Sequence, residues 1–220
     1  MSDPTESLPH AVPELEIITI PNGTFAQNCY LVHPRSSLTA AIIDPGEESD
    51  RVLAEAARRG LRITAIWLTH AHIDHVMGVA SVREATGAPI ALHPADRPLY
   101  DNASTQGLWF GIQIDPLPPP DVELHHGDVL RLEEVALEVR HVPGHSPGHV
   151  VFVSPGVVIG GDVLFAGSIG RTDLPGGDLE TLLDGIRREL LTLPDETVVY
   201  SGHGPPTTIG AERTSNPFLT

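Results

Sequence analysis

The chain is predicted to fold as one mixed α/β domain, and three features of its sequence support this prediction. Runs rich in β-branched residues alternate with segments whose apolar residues recur at helical spacing. The elements follow the order strand-rich, helical, strand-rich, helical, which indicates two similar halves. No short-period repeat or internal linker interrupts this order, and 40% of the 220 residues are hydrophobic, which permits a substantial core.

The first 13 residues differ in character from the rest. The segment MSDPTESLPHAVP is acidic and rich in proline. It has neither the basic start nor the apolar stretch of a secretion signal. We therefore expect a mobile N-terminal tail over residues 1–13 and a single domain over residues 14–220.

The first half of the domain begins with strands. Three apolar runs, LEIITI, NCYLVHP and TAAIIDPG, contain β-branched or aromatic residues and end at turn signals. The segment EESDRVLAEAARRG then predicts a helix that Ser49 or Asp50 caps and Gly60 ends. A buried strand, ITAIWLTH, follows, then a helix from Val76 to about Thr86, and then a short strand, PIALH.

The second half opens with a long irregular segment. Residues 94–121 mix prolines with large apolar side chains, and we expect a loop folded over another part of the molecule. Strand patterns return in DVLRLEEVALEVRH and HVVFVSPGVVIGGDVLF. A helix is predicted from about Asp178, its candidate cap, to Leu193, and TVVYSGHG is the last predicted strand.

Charge and cysteine content narrow the function classes. The chain has 13 Lys and Arg against 29 Asp and Glu, a net charge of −16, which would repel nucleic-acid phosphates and favours a small-molecule substrate. No run of 18 apolar residues is present, so no membrane span is expected. The one cysteine, Cys29, fits a reducing compartment such as the cytoplasm, and its apolar surroundings predict burial.

A short segment concentrates groups that can bind metal. LTHAHIDHVMG contains three imidazoles and a carboxylate between His70 and His75. If the preceding strand continues through His70 and His72, both side chains point the same way and can reach one ion. Asp74 and His75 follow where the chain turns into a helix, so they would face a neighbouring point. Two pairs therefore suggest two metal ions.

Further ligands lie beside glycines at predicted strand ends. His145 lies in HVPGHSPGH, Asp162 in VVIGGDVLF and His203 in VVYSGHG. A charged Asp162 at the end of a core strand is costly unless a partner compensates it, and a divalent cation would do so.

These motifs match a known family. THAHIDH, PGHSPGH, GGD and GHG, in this order, resemble the metallo-β-lactamase fold hydrolases. QNCYLV, DPG, GSIGRTDLPGGD and TTIGAERTSNPFL look like the single-domain glyoxalase II-like, or hydroxyacylglutathione hydrolase-like, enzymes of bacteria. The resemblance covers nearly the whole chain after the tail. It implies an αββα sandwich of two packed mixed β-sheets flanked by helices, with the site at strand ends between the sheets.

The resemblance also implies a role for each candidate ligand. His70, His72 and His145 would hold one metal ion, Asp74, His75 and His203 a second, and Asp162 would bridge them. Two divalent ions are expected, zinc first, with iron and manganese as alternatives for such nitrogen and oxygen ligands. The expected reaction is hydrolysis of a small thioester by attack of a metal-bound hydroxide. Asp74 is the candidate catalytic residue, because it could hold this hydroxide and take its proton.

Candidate substrate contacts lie outside the ligand set. Arg171 could meet a substrate carboxylate or pair with a nearby aspartate. Trp109 and Phe110 could wall the pocket or pack within their own loop. His149 is expected to orient a ligand by hydrogen bonding, not to bind metal itself. Only 17 residues follow His203, so we expect no counterpart of the helical domain with which two-domain glyoxalase II enzymes grip glutathione.

Several other functions fit the same motifs. A persulfide dioxygenase would use one iron held by two histidines and one aspartate, and a lactonase or promiscuous esterase would attack a different carbonyl. An RNA-processing nuclease conflicts with the charge of −16. A metal-binding scaffold without catalysis conflicts with the complete ligand set. Metal content per chain and a substrate panel separate these alternatives.

Overall fold

The structure is a computed structural model that describes residues 14–220. The predicted N-terminal tail, residues 1–13, lies outside the described residues. The division of the chain into this tail and one domain over 14–220 therefore stays a prediction.

Two β-sheets form the centre of the described part of the chain. The first sheet contains, in spatial order, β1 (Leu15–Asn22), β2 (Gln27–Pro34), β3 (Thr39–Ile43), β4 (Arg62–Trp67), β5 (Ile90–Leu92) and β6 (Val122–Glu123). Pairing is antiparallel from β1 to β3 and parallel from β3 to β6. The sheet is therefore mixed.

The second sheet is also mixed. Its spatial order is β14 (Thr207–Thr208), β13 (Val198–Ser201), β10 (Val157–Gly161), β9 (Val150–Ser154), β8 (Val135–His141) and β7 (Val129–Leu132). Only the β10–β13 pair is parallel among these described strands. A separate short pair, β11 (Leu164–Phe165) and β12 (Ser168–Ile169), follows β10 in the chain.

Helices cover the outer face of each sheet. Against the first sheet lie α1 (Ser49–Arg59), α2 (Ile73–Val76), α3 (Val79–Thr86), α4 (Arg97–Asp101) and α5 (Ala103–Trp109). Against the second lie α6 (Leu179–Gly185), which continues as a π-helical turn over Ile186–Leu190, and α7 (Ile209–Ser215).

Alternating side chains of the strands divide the core into layers. In β3, Ala40 and Ile42 face the helices, whereas Ala41 and Ile43 face the second sheet. Trp67 of β4 meets Phe152 of the second sheet, with ring centroids 5.8 Å apart. The resulting order of layers, helices, sheet, sheet, helices, confirms the predicted αββα sandwich.

Several element boundaries differ from the prediction. Helix α1 ends at Gly60 as expected, with φ +69°, but Glu48 precedes its first residue and no side chain caps it. Ser49 and Asp50 instead occupy its first turn, so the predicted cap is wrong. At the other end of the chain, Asp178 does cap α6, because its side chain accepts a hydrogen bond from the Thr181 N–H.

The helix predicted over 76–86 is broken into α2 and α3 at Gly78. Its N–H donates to the Pro45 carbonyl, and a Cβ on Gly78 would lie 2.2 Å from the Gly46 carbonyl oxygen. The close approach of the turn at Pro45 and Gly46 therefore interrupts the helix.

Residues 94–109 are not the irregular loop that was predicted. A short 3₁₀ turn, Pro94–Asp96, leads into α4 and α5. Proline at the start of both short helical segments is compatible with a first turn, and the proline content misled the prediction. No helix among residues 14–220 is both long and apolar enough to cross a membrane.

Candidate metal centre

The seven candidate ligands follow strands of both sheets. Strand β4 ends at Trp67, so His70 and His72 lie in a loop and not on a continued strand. Asp74 and His75 lie on α2. The other three, His145, Asp162 and His203, follow β8, β10 and β13 of the second sheet. The site therefore lies at one edge of the sandwich, where loops of the two sheets meet.

Three histidines form the first donor set. The donor nitrogens of His70, His72 and His145 lie within 4.8 Å of one another. His145 Nε2 is 2.8 Å from His72 Nδ1 and 3.3 Å from His70 Nε2. All three residues are buried. Three inward-facing nitrogens at these distances can share one ion.

Asp74, His75 and His203 form the second donor set, with donor atoms again within 4.8 Å of one another. His203 Nε2 lies 3.1 Å from Asp74 Oδ2, and His75 Nε2 lies 3.6 Å from the same oxygen. This set combines two imidazoles with one carboxylate.

Asp162 lies between the two sets. Its Oδ2 is 3.6 Å from both His145 Nε2 and His203 Nε2, and its Oδ1 is 3.4 Å from His75 Nε2. Its carboxylate therefore faces both sets. Gly202 makes this placement possible, because a Cβ there would lie 2.1 Å from Asp162 Oδ1.

Hydrogen bonds to the second ring nitrogen orient the histidines. His145 Nδ1 lies 2.8 Å from the Arg171 carbonyl and His203 Nδ1 lies 3.1 Å from the Phe25 carbonyl. His75 Nδ1 lies 3.0 Å from Asp44 Oδ2. Each of these oxygens accepts a hydrogen bond from Nδ1–H, and a proton held on Nδ1 leaves the lone pair of Nε2 for a metal.

The donor set fits divalent metal ions. His75 Nε2 and Asp162 Oδ1 are buried and make no hydrogen bond. Buried polar atoms without partners are costly, and a cation between the two sets would satisfy both. The ligands are imidazole nitrogens and carboxylate oxygens, a chemistry that suits zinc, iron or manganese.

Electrostatics also favour the protonation states in which histidine and aspartate bind metal, namely a neutral imidazole and a charged carboxylate. Burial and the neighbouring His145 lower the pKa of His72 to about 3, so this ring is neutral at pH 7. Burial alone would raise the pKa of Asp162, but His75 and His145 outweigh it and lower that pKa, so the carboxylate is charged. His75 differs: burial opposes its charged form, but Asp162 and Asp74 raise its pKa well above the usual value. The excess negative charge around His75 is what a metal cation would neutralise.

Two buried aspartates support the site and were not predicted as site residues. Asp44 accepts hydrogen bonds from Thr69 N–H and Thr69 Oγ1, at 2.7 and 2.6 Å, besides its contact with His75. One of its carboxylate oxygens also lies within 4.8 Å of a ring nitrogen of His70 and of His75. A polar residue directly after the buried run TAAII was the available signal, the same signal that marked Asp162.

Asp96 joins the two ligand loops, which are the loop that carries His70 and His72 and the loop that carries His145. It accepts hydrogen bonds from Ala71 N–H, at 2.9 Å, and from Ser146 Oγ, at 2.7 Å, and also from Gly148 N–H. Ala71 lies between His70 and His72, and Ser146 follows His145. Nothing in the segment PADRPLY marked this residue in the sequence.

His149 contacts two of the candidate ligands, and its role in orienting a ligand stays a prediction. Its Nε2 accepts a hydrogen bond from Asp162 N–H at 3.0 Å, and its ring stacks on His70 with centroids 4.7 Å apart. His125 and His126 are exposed on the turn before β7.

A cavity of about 570 Å³ opens onto the donor sets. His72, Asp74, His145, Asp162 and His203 all reach it. Its remaining walls are mainly apolar and include Phe25, Leu99, Trp109, Phe110, Phe165 and Leu174. Arg171 also lines the cavity, and its guanidinium makes two 2.7 Å hydrogen bonds to Asp173. Arg171 is thus paired with an aspartate and also lies where it could contact a substrate. Trp109 and Phe110 line the cavity, so a role in substrate binding stays a prediction for all three residues.

Comparison with protein families gives a match that covers most of the chain. The model of the metallo-beta-lactamase superfamily matches residues 22–203, which contain all seven candidate ligands. The chain belongs to the metallo-β-lactamase superfamily. Its two donor sets thus lie on a metal-binding enzyme scaffold.

Two curated relatives are similar to this chain over almost their full length. Hydroxyacylglutathione hydrolase GloC of Haemophilus influenzae is 40% identical, with 93% of this chain and 98% of the relative covered. The probable metallo-hydrolase YqgX of Bacillus subtilis is 41% identical, with 91% and 95% covered.

Solved structures of similar proteins share the fold. The B3 metallo-beta-lactamase BLEG-1 superimposes with a TM-score of 0.87 at 40% identity, with 93% of this chain and 100% of the other covered. TTHA1623 in a di-iron-bound form gives 0.84 at 45% identity, with 92% and 100% covered. ETHE1 from Myxococcus xanthus gives 0.77 at 28% identity, with 92% and 83% covered.

Proposed function

We propose that this protein is a binuclear metallohydrolase that cleaves small thioesters, with hydroxyacylglutathiones among its substrates. The observation that carries the proposal is the position of Asp162 between two donor sets, with its oxygens 3.4–3.6 Å from a histidine nitrogen of each. The similarity to hydroxyacylglutathione hydrolase GloC supports thioesters as the substrate class.

Each ligand has a role in this proposal. His70, His72 and His145 would hold one ion, Asp74, His75 and His203 would hold the second, and the Asp162 carboxylate faces both donor sets. When bound, the ions supply an activated water as nucleophile and an electrophile for the carbonyl oxygen of the substrate. The metal is zinc in our proposal, with iron and manganese as alternatives, since the related TTHA1623 structure is described as di-iron-bound.

Residues of the chain supply the remaining steps. Asp74 reaches the cavity, and its Oδ2, which lies 3.1 Å from His203 Nε2, would accept the proton of the attacking water. The leaving group is a thiolate, which needs little help from a general acid. Cys29 is fully buried away from the cavity and takes no part.

The test is thiol release from S-lactoylglutathione by protein reconstituted with zinc, iron or manganese. We expect turnover that His145→Ala and Asp162→Asn each reduce by at least about 100-fold, because each removes a metal ligand. His125→Ala is the matched control, since it removes an exposed imidazole that belongs to neither donor set and does not line the cavity. Thiol release no faster than in buffer, for every metal, would contradict the proposal.

Hydrolysis of another carbonyl is a second candidate. BLEG-1, 40% identical over 93% of this chain, is described as a B3 metallo-beta-lactamase. A lactam, a lactone or a simple ester could be attacked by the same arrangement. Nitrocefin and a homoserine lactone in the same assay separate these activities from thioester cleavage.

Persulfide dioxygenation by one iron is a third candidate. His70, His145 and Asp162 supply the two histidines and one carboxylate that such iron requires, with His145 Nε2 at 3.3 Å from His70 and 3.6 Å from Asp162. The complete second donor set favours two ions. Elemental analysis therefore decides between one iron and two ions per chain.

A further inference from the structure

The cavity wall outside the donor sets is built from large apolar side chains that project into open space. Trp109 is 63% exposed and Phe110 is 53% exposed, yet both line the cavity. Phe25 holds Phe110 in place through an edge-to-face contact with ring centroids 5.2 Å apart. Large exposed aromatic groups grouped around a cavity are typical of a binding surface.

The same wall has few charged groups that could pair with a negatively charged group of the substrate. Within the part of the chain that the structure describes, Arg171 is the single basic residue other than histidine that lines the cavity. Its guanidinium is already paired with Asp173 through two hydrogen bonds. A carboxylate of the substrate would have to compete with this pair, and it would approach a chain of net charge −16.

We propose that this wall binds an apolar acyl chain, so that among thioesters the enzyme prefers uncharged substrates with medium-length alkyl groups over short hydroxyacyl groups. The inference rests on the proposed thioester hydrolysis and names the substrate class of that site. The donor sets hold the scissile carbonyl at one end of the cavity. The chain extends from there along Phe25, Phe110 and Trp109, where it excludes water from the rings.

The volume of the cavity allows an acyl chain of more than two carbons. The cavity of about 570 Å³ is in the range of pockets that enclose whole small ligands. It therefore has room for several methylene groups beyond the carbonyl. Each methylene that becomes buried strengthens binding by up to about fourfold.

The experiment is a chain-length series on one neutral thiol. Acetyl, butyryl, hexanoyl and octanoyl thioesters of N-acetylcysteamine are compared with S-lactoylglutathione on the metal-reconstituted enzyme. We expect kcat/KM to rise with chain length by up to about fourfold per methylene until the cavity is filled. We also expect kcat/KM to be higher for the hexanoyl thioester than for S-lactoylglutathione.

Variants of the wall test where the preference arises. Trp109→Ala and Phe110→Ala should each lower kcat/KM for the hexanoyl thioester by about tenfold and change the acetyl value little, since only the longer chain reaches them. Leu108→Ala is the matched control: Leu108 is 67% exposed on the same helix but does not line the cavity. It should keep the wild-type dependence on chain length.

A second measurement follows Trp109 directly. The chain has two tryptophans, and Trp67 is buried, so a change in fluorescence on adding a non-hydrolysable hexyl thioether reports on Trp109. Trp109→Phe should abolish that change.

The outcomes separate the two proposals. A flat dependence on chain length, or one that Trp109→Ala and Phe110→Ala leave unchanged, overturns the apolar-chain inference while thioester hydrolysis stands. Failure to hydrolyse any member of the series or S-lactoylglutathione overturns both.

Discussion

Asp44 shows how a single side chain sets the state of another. Its Oδ2 contacts His75 Nδ1 at 3.0 Å, and both groups are buried. The carboxylate accepts a hydrogen bond from Nδ1–H, and a proton held on Nδ1 leaves the Nε2 lone pair of His75 for a metal ion in the second set. Asp44 itself has a φ of +53°, a conformation that aspartate tolerates better than most residues. The turn at Pro45 and Gly46 follows directly, so the residue that orients the ligand also starts the turn that packs on Gly78.

Cys29 should be chemically inert in the folded protein. It is fully buried in β2, and burial, followed by the charge of Asp44, raises the pKa of its thiol well above the ordinary value. The reactive thiolate is therefore scarce as well as inaccessible. We expect no reaction with a disulfide reagent under native conditions and one thiol per chain after unfolding in guanidinium, measured by absorbance. Full modification of native protein within minutes would refute the prediction.

His93 should make the stability of the protein sensitive to mild acid. Burial, His141 and His125 lower its pKa to about 4, and its ring stacks on His141 with centroids 4.1 Å apart. In the unfolded chain the pKa of histidine is about 6.5. Between these values the unfolded state binds more protons, so this contribution to stability is complete above about pH 6.5 and is lost as the pH falls towards 4.

His93→Asn tests this dependence. The asparagine side chain can still accept the hydrogen bond from Ala95 N–H that His93 Nδ1 accepts, but it does not titrate. Urea unfolding of both proteins without metal at pH 7.5 and pH 5 should show that the wild type loses more stability on acidification than the variant. An equal loss in the two proteins would contradict the assignment.

At the scale of elements, the sequence predicted regular structure best where the chain is apolar and periodic. The strand β3, the end of α1 at Gly60 and the Asp178 cap of α6 all depend on local features, namely an apolar run with β-branched residues, a left-handed glycine and a hydrogen bond from the Thr181 N–H. The break at Gly78 depends on a distant turn at Pro45 and Gly46, and no local pattern encodes that contact.

The residues of the candidate site also differ in whether local sequence could reveal them. The seven ligand candidates could be found because their residue types and spacings are unusual in a surface loop. Asp96 could not, because its role consists of hydrogen bonds to Ala71 and Ser146, which lie 25 and 50 residues away in the chain. Such a contact becomes visible only when the two ligand loops are placed side by side.

Asp96 should therefore hold the ligand loops in register. Asp96→Asn keeps the volume but gives one acceptor oxygen for three donors, so buried N–H or O–H groups lose their partner. We expect metal affinity to fall by about 10- to 100-fold, measured by competition with a chromogenic chelator. Asp101→Asn is the control, since Asp101 is an exposed carboxylate paired with Arg97 nearby. Equal affinities of Asp96→Asn and wild type would show that the contact does not position the ligands.

At the scale of the whole molecule, the candidate metal centre draws its residues from both halves of the sandwich. His70, His72, Asp74 and His75 follow β4 of the first sheet, whereas His145, Asp162 and His203 follow strands of the second. Each donor set contains residues from both sheets. An ion held by either set is therefore a cross-link between sheets, in addition to the apolar contacts that fill the space between them.

Metal binding should consequently stabilise the entire fold. A ligand at about 1,000 times its dissociation constant adds about 4 kcal/mol to the free energy of unfolding. For a chain of this size that corresponds to an increase in Tm of roughly 8–16 °C, measured by calorimetry of zinc-loaded and chelator-treated protein. His145→Ala and His203→Ala, one from each donor set, should each lose a large part of this gain, whereas His125→Ala should keep all of it. A difference in Tm within experimental error between loaded and chelated wild type, with two ions bound per chain, would show that the ions do not couple the sheets.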